Sequence, residues 1–137
     1  MKNFSIILGA IILALFVTLV IWGVYCDNTI AITNYYVNNT KNDAKLKFVV
    51  ITDLHNKEYG EKNADLAELV KEQNPDFIAV CGDMVNRGDP DTTKMKDVLE
   101  KLSKIAPTYC CLGNHERDNA AKFGTDFKSE TNSTGAV

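Results

Sequence analysis

The sequence predicts an α/β protein: three parallel strands and two helices in the order β-α-β-α-β, behind one long apolar amino-terminal segment. Two observations carry this. Three short apolar runs, near 46–52, 77–82 and 108–113, lead into Asp53-Leu54-His55, Gly82-Asp83-Met84-Val85-Asn86-Arg87-Gly88 and Gly113-Asn114-His115-Glu116. The steps from Asp53 to Asp83 and from Asp83 to Asn114 are 30 and 31 residues, about the length of one βαβ unit. Such a unit places all three segments at the carboxyl edge of one sheet, where open α/β sheets bind ligands.

The first element is the run Phe4 to Tyr25, which holds no charged residue. A membrane span needs about 20 such residues. The run exceeds the roughly 7–15 apolar residues of a cleaved signal, and Val24-Tyr25-Cys26 lacks the small residues of a cleavage site. It predicts a single-pass signal-anchor within residues 1–27. Lys2 before the span and Asp27 after it put the amino terminus in the cytosol and the following domain on the extracytoplasmic side. Lys41, Lys45 and Lys47 pull the other way.

Residues 28–44 are rich in Asn and Thr and read as a tether. Ile30-Ala31-Ile32 and Tyr35-Tyr36-Val37 suggest an edge strand inside it. The α/β unit runs from 45 to 120. Its first strand is β-branched and nearly all apolar at its end, as in a strand covered on both faces. The first helix, Asn63 to Gln73, sets Leu66, Leu69 and Val70 on one face, with Asn63 as a cap and Asn74-Pro75 as a stop. Thr93 to Ala106 repeats the pattern with Met95, Val98, Leu99, Leu102 and Ile105, and Pro107 ends it. Right-handed crossovers make the strands parallel. Residues 121–137 offer Phe123, Phe127 and Val137 as their only large apolar side chains and predict a polar, disordered tail.

Composition narrows the function. With 15 Lys and Arg against 18 Asp and Glu, the net charge is −3, and no basic patch suggests nucleic-acid binding. Cys81, Cys110 and Cys111 lie in apolar runs and read as small buried hydrophobes. A disulfide from Cys81 to a neighbouring strand stays open. Asp53 and His55, two residues apart past a strand, reach one divalent ion. Asp83 has two oxygens with which to bridge two ions, and Asn114 offers an amide oxygen to the second. Ions about 3.5–4 Å apart serve phosphoryl or acyl hydrolysis.

These motifs, Asp-x-His, then Gly-Asp-x-x-Asn-Arg, then Gly-Asn-His-Glu, resemble those of the calcineurin-like metallophosphoesterases. The anchor leading into the first motif is similar to membrane-attached bacterial members. The resemblance implies that Asp53, His55, Asp83 and Asn114 hold two divalent ions (manganese, iron or zinc). It further implies that His115 assists the leaving group and that Arg87 contacts the phosphate of a phosphate ester. Arg87 also reads as a structural ion-pair partner, and Asn86 and Glu116 as supports of the ligands. The family carries further histidines, including Gly-His-x-His, whereas this chain has only His55 and His115. The chain therefore resembles the amino-terminal half of the family's αββα sandwich, a truncated metal-dependent phosphoesterase. The alternative is a non-catalytic, membrane-tethered remnant or binding module that keeps a weak partial metal site.

Overall fold

A computed structural model describes residues 2–37 and 45–137. Within residues 2–37, helix α1 runs Lys2–Asn28 and is long and apolar enough to cross a membrane. Ile30 to Val37 forms no strand, so the edge strand expected there is absent among the described residues. The remainder of the predicted tether, 38–44, lies outside the described residues.

The second unit holds the α/β fold in the predicted order. Strand β1 is Phe48–Ile51, β2 is Phe77–Val80 and β3 is Thr108–Cys110. They form one parallel sheet in the order β1-β2-β3. Each strand is shorter than the apolar run that announces it. Asp53 has φ +57°, and Gly82 and Asp83 have φ +81° and +52°, so the chain turns out of the sheet at these residues. Helix α2 is Ala64–Glu72 and α3 is Thr93–Ser103. A short 3₁₀ turn, Glu61–Asn63, precedes α2. Asn63 does not cap α2 through its side chain. It is buried with left-handed φ, and its amide oxygen accepts the Tyr59 N–H at 3.0 Å.

One face of the sheet is covered. Ile51, Ile78 and Val80 are buried there, with Leu66 and Val70 of α2 and Met95, Val98, Leu99 and Leu102 of α3 completing the core. On the other face Phe48 stays 51% and Tyr109 54% exposed. Phe48 stacks on Phe77 at 4.9 Å, and Tyr109 meets Phe77 edge-on at 6.0 Å. Cys81 and Cys111 open onto this bare side and are exposed; only Cys110 is half-buried. The expectation of three buried thiols is corrected for two, because no layer covers that face among the described residues. Burial pushes the Cys110 thiol up to about 11.

The carboxyl-terminal segment corrects a second expectation. Residues 121–137 are ordered rather than a disordered tail. Helix α4, Asn114–Phe123, ends on Gly124 at φ +72°, and α5 follows at Phe127–Asn132. Phe127 is 2% exposed, so one aromatic anchors the segment. Asp126 caps α5 by accepting the Ser129 N–H, Lys96 of α3 pairs with Glu130 at 2.7 Å, and Ser103 donates to the Thr134 carbonyl at 2.7 Å. Val137 exchanges backbone hydrogen bonds with Thr108 and Cys110 at the edge of β3.

Candidate metal centre

The three motifs meet at the carboxyl edge of the sheet through backbone contacts. Asp53 N–H donates to the Gly82 carbonyl, His55 N–H to that of Asp83 and Asn56 N–H to that of Met84, at 3.1, 3.0 and 2.9 Å. The turn after β1 is thus zipped to the turn after β2. Asp53, His55 and Asp83 all have positive φ. For non-glycine residues this costs on the order of 1–3 kcal/mol each and gathers at functional sites.

Gly82 and Gly113 admit a close approach of the next pair of turns. A Cβ on Gly82 would strike the backbone of Gly113, and one on Gly113 would strike the Asp83 carboxylate. The backbones therefore touch where the Asp83 and Asn114 turns begin. Asp83, in turn, accepts the His115 N–H at 2.9 Å.

Asp53, His55 and Asp83 each offer a donor atom, and these atoms all lie within 4.8 Å of one another. Two carboxylates and an imidazole suit a divalent cation of the manganese, iron or zinc type. Thr52 Oγ1 donates to Asp53 Oδ2 at 2.7 Å and orients that carboxylate. Asn114 stands beside Asp83. With its amide nitrogen toward Asp83, it donates at 2.7 Å and its oxygen accepts from Arg87 Nη2 at 2.7 Å. With the amide turned over, its oxygen faces the Asp83 carboxylate, acceptor against acceptor. A cation between the two oxygens would relieve that repulsion.

The remaining candidates frame this group. The His115 ring lies 4.5 Å from the His55 ring, and its Nδ1 is 3.1 Å from the Val85 carbonyl. A carbonyl only accepts, so Nδ1 carries the proton and Nε2 is left as the free ring nitrogen. Arg87 Nε pairs with Asp118 at 3.0 Å, and both side chains are more than half exposed. Of the two readings of Arg87, the ion pair is present, and it leaves Nη2 turned toward Asn114.

Two buried residues hold the frame. Glu116 is 1% exposed, and its carboxylate accepts the N–H groups of Asp83, Met84, Val85 and Gly113. It thus joins the second turn to the start of α4, and it reaches back to Gly113 as a helix-start carboxylate does. Asn119, absent from the sequence reading, is fully buried. It accepts from Gly88 N–H and donates to the carbonyls of Asn86 and Asp89, which fixes the loop carrying Arg87. Its signal was the i, i+4 spacing from His115, which stacks the two on one helix face. Asn86 takes part through its carbonyl, and its side chain is exposed.

A parallel α/β sheet edge thus gathers carboxylates, imidazoles and an amide of the kinds that suit a divalent cation. The chain belongs to the calcineurin-like phosphoesterase family, which it matches over residues 46–135. It is similar to phosphodiesterase YaeI of Escherichia coli K12, at 35% identity over 79 residues, 56% of this chain and 29% of that protein. It is also similar to the uncharacterized metallophosphoesterase Cj0846 of Campylobacter jejuni, at 35% identity over 85 residues, 58% of this chain and 21% of that protein. The chain thus spans less than a third of the length of either relative. No solved structure gives a significant match.

Proposed function

We propose that the chain carries the metal-binding edge of a phosphoesterase that hydrolyses phosphate mono- or diesters through two divalent ions (manganese, iron or zinc). The observation that carries this reading is the convergence of Asp53, His55 and Asp83 donors within 4.8 Å inside a phosphoesterase-family domain. Asp53 and His55 would hold the first ion, Asp83 would be shared between the two, and Asn114 would serve the second. When bound, the ions supply Lewis acidity and an activated water.

The chain's own residues do the rest. Arg87, steadied by Asp118, directs its outer nitrogens to the substrate phosphate. His115, its ring fixed through Nδ1–H on the Val85 carbonyl, assists the leaving-group oxygen from Nε2 in its doubly protonated form, in which both ring nitrogens donate. Asn119 holds the Arg87 loop in place. Helix α1 anchors the chain in a membrane as a single pass, with the domain on the extracytoplasmic side.

A second reading, a non-catalytic membrane-tethered module with a weak ion site, draws on one observation. Among the described residues the second ion position finds only Asp83 and Asn114. Calorimetry on the detergent-solubilised chain separates the two readings. Orthophosphate, the reaction product, should bind when manganese is present and not without it. Manganese binding with no phosphate affinity would favour the second reading.

A further inference from the structure

Cys81 and Cys111 stand side by side across two strands. The β2–β3 register pairs Val80 with Cys110, and the Cys111 N–H continues the ladder to the Val80 carbonyl at 2.9 Å. The next lateral pair is therefore Cys81 with Cys111. Both are exposed, whereas Val80 is buried and Cys110 half-buried, so the two thiols share the bare face of the sheet.

Neighbouring strands lie about 4.8 Å apart. A disulfide needs Cα atoms roughly 4.4–6.8 Å apart and side chains that point together. The register puts this pair at neighbouring positions just past adjacent strands, on one exposed face. Cys110 belongs to the opposite side of the strand, and Cys26 lies in α1.

We propose that Cys81 and Cys111 form a dithiol site that closes to an intrachain disulfide by exchange with a small disulfide such as oxidised glutathione. One cysteine attacks a sulfur of the oxidant, forms a mixed disulfide and releases one reduced glutathione. The second cysteine attacks the protein sulfur of that mixed disulfide and releases the second glutathione. Two thiol protons and two electrons pass from the cysteines to glutathione, and one S–S bond replaces another. Exposed disulfides of this kind exchange readily. The bond lies one residue before Gly82 and two before Gly113, where the Asp83 and Asn114 turns touch. It therefore clamps the junction of those turns.

The test uses the full chain in detergent, equilibrated in reduced and then oxidised glutathione. The reduced chain should show four free thiols and the oxidised chain two, as a monomer lighter by two hydrogens. Peptide mapping should link the Cys81 peptide to the peptide holding Cys110 and Cys111. The link should survive in Cys110→Ser and vanish in Cys111→Ser, each variant checked for unchanged circular dichroism. If Cys111→Ser alone loses its fold, retention or loss of the link in Cys110→Ser decides the matter. Stable glutathione adducts without a link, dimers joined between chains, or a link lost in Cys110→Ser would overturn the proposal.

Discussion

The Glu116 carboxylate accepts the backbone N–H of Asp83 at 2.8 Å, from a helix that starts 31 residues later. One buried side chain thereby sets the direction of the residue proposed to bridge two ions. Glu116→Ala would leave four N–H groups unsatisfied, at about 1–3 kcal/mol for each that stays dry. The variant should lose at least about 3 kcal/mol of stability in urea unfolding. Glu116→Gln should also destabilise, since its NH₂ would face two of these donors whichever way it turned. An unchanged midpoint in both would show that water replaces the carboxylate.

Much of this arrangement is legible in the sequence. The apolar runs and the two amphipathic helices announce the β-α-β-α-β order, and the motifs fall at the sheet edge because strands and helices alternate so regularly. The strand ends are not legible, because they depend on left-handed backbone at Asp53, Gly82 and Asp83. Glu116 reads from the sequence as a support of the ligands, but neither its reach nor that of Asn119 to backbone groups about thirty residues away is legible there. The ordered segment after Phe123 rests on one aromatic and on long-range ties to α3, which composition does not display.

Two glycine substitutions separate close approach from backbone strain. Gly82 and Gly124 have φ +81° and +72°. A Cβ at Gly124 meets nothing within 4 Å, while one at Gly82 meets the Gly113 backbone. Gly124→Ala should cost about 1–2 kcal/mol, the left-handed penalty alone. Gly82→Ala should cost clearly more and should also weaken metal binding. Equal unfolding midpoints for the two variants would mean that the turns yield to one another.

Asp91 is held ionised at the start of α3. Hydrogen bonds from the Thr93 hydroxyl, then from the Thr93 N–H, place its carboxyl below the usual aspartate range. A lowered folded pKa means that the folded chain binds the proton less readily than the unfolded one. This contribution is present above the unfolded value, near 3.8, and is lost as pH falls through the folded value. An NMR titration should show the Asp91 midpoint below its ordinary position, and Thr93→Ala should move it up. No movement would remove the hydroxyl as the main cause.

The anchor reading has a direct check. An alkaline phosphatase reporter, active only outside the cytosol, fused after residue 45 should be active. A green fluorescent reporter that requires the cytosol should be dark when exported unfolded through the same point. The reverse pattern would place the domain inside and undo the orientation read from Lys2 and Asp27.

The metal site itself makes the sharpest prediction. A catalytic zinc usually keeps three protein ligands and one open position. Asp53, His55 and Asp83 meet that count for one ion. The second position draws on Asp83, already shared, and on Asn114, a neutral amide that Arg87 also claims. Calorimetry with manganese or zinc should therefore resolve one tight site, with the second weak and exchanging. Asp83→Ala and Asp53→Ala should weaken the tight site by more than about tenfold, since outer partners alone are worth 10–100-fold. His115→Ala should leave it nearly intact, because His115 touches Asp83 through its backbone N–H. Hydrolysis of a chromogenic phosphodiester by residues 1–137 should stay close to background even in excess manganese. Metal-dependent turnover that Asp53→Ala abolishes would show that four donors suffice, and equal metal loss in His115→Ala would make His115 a ligand instead.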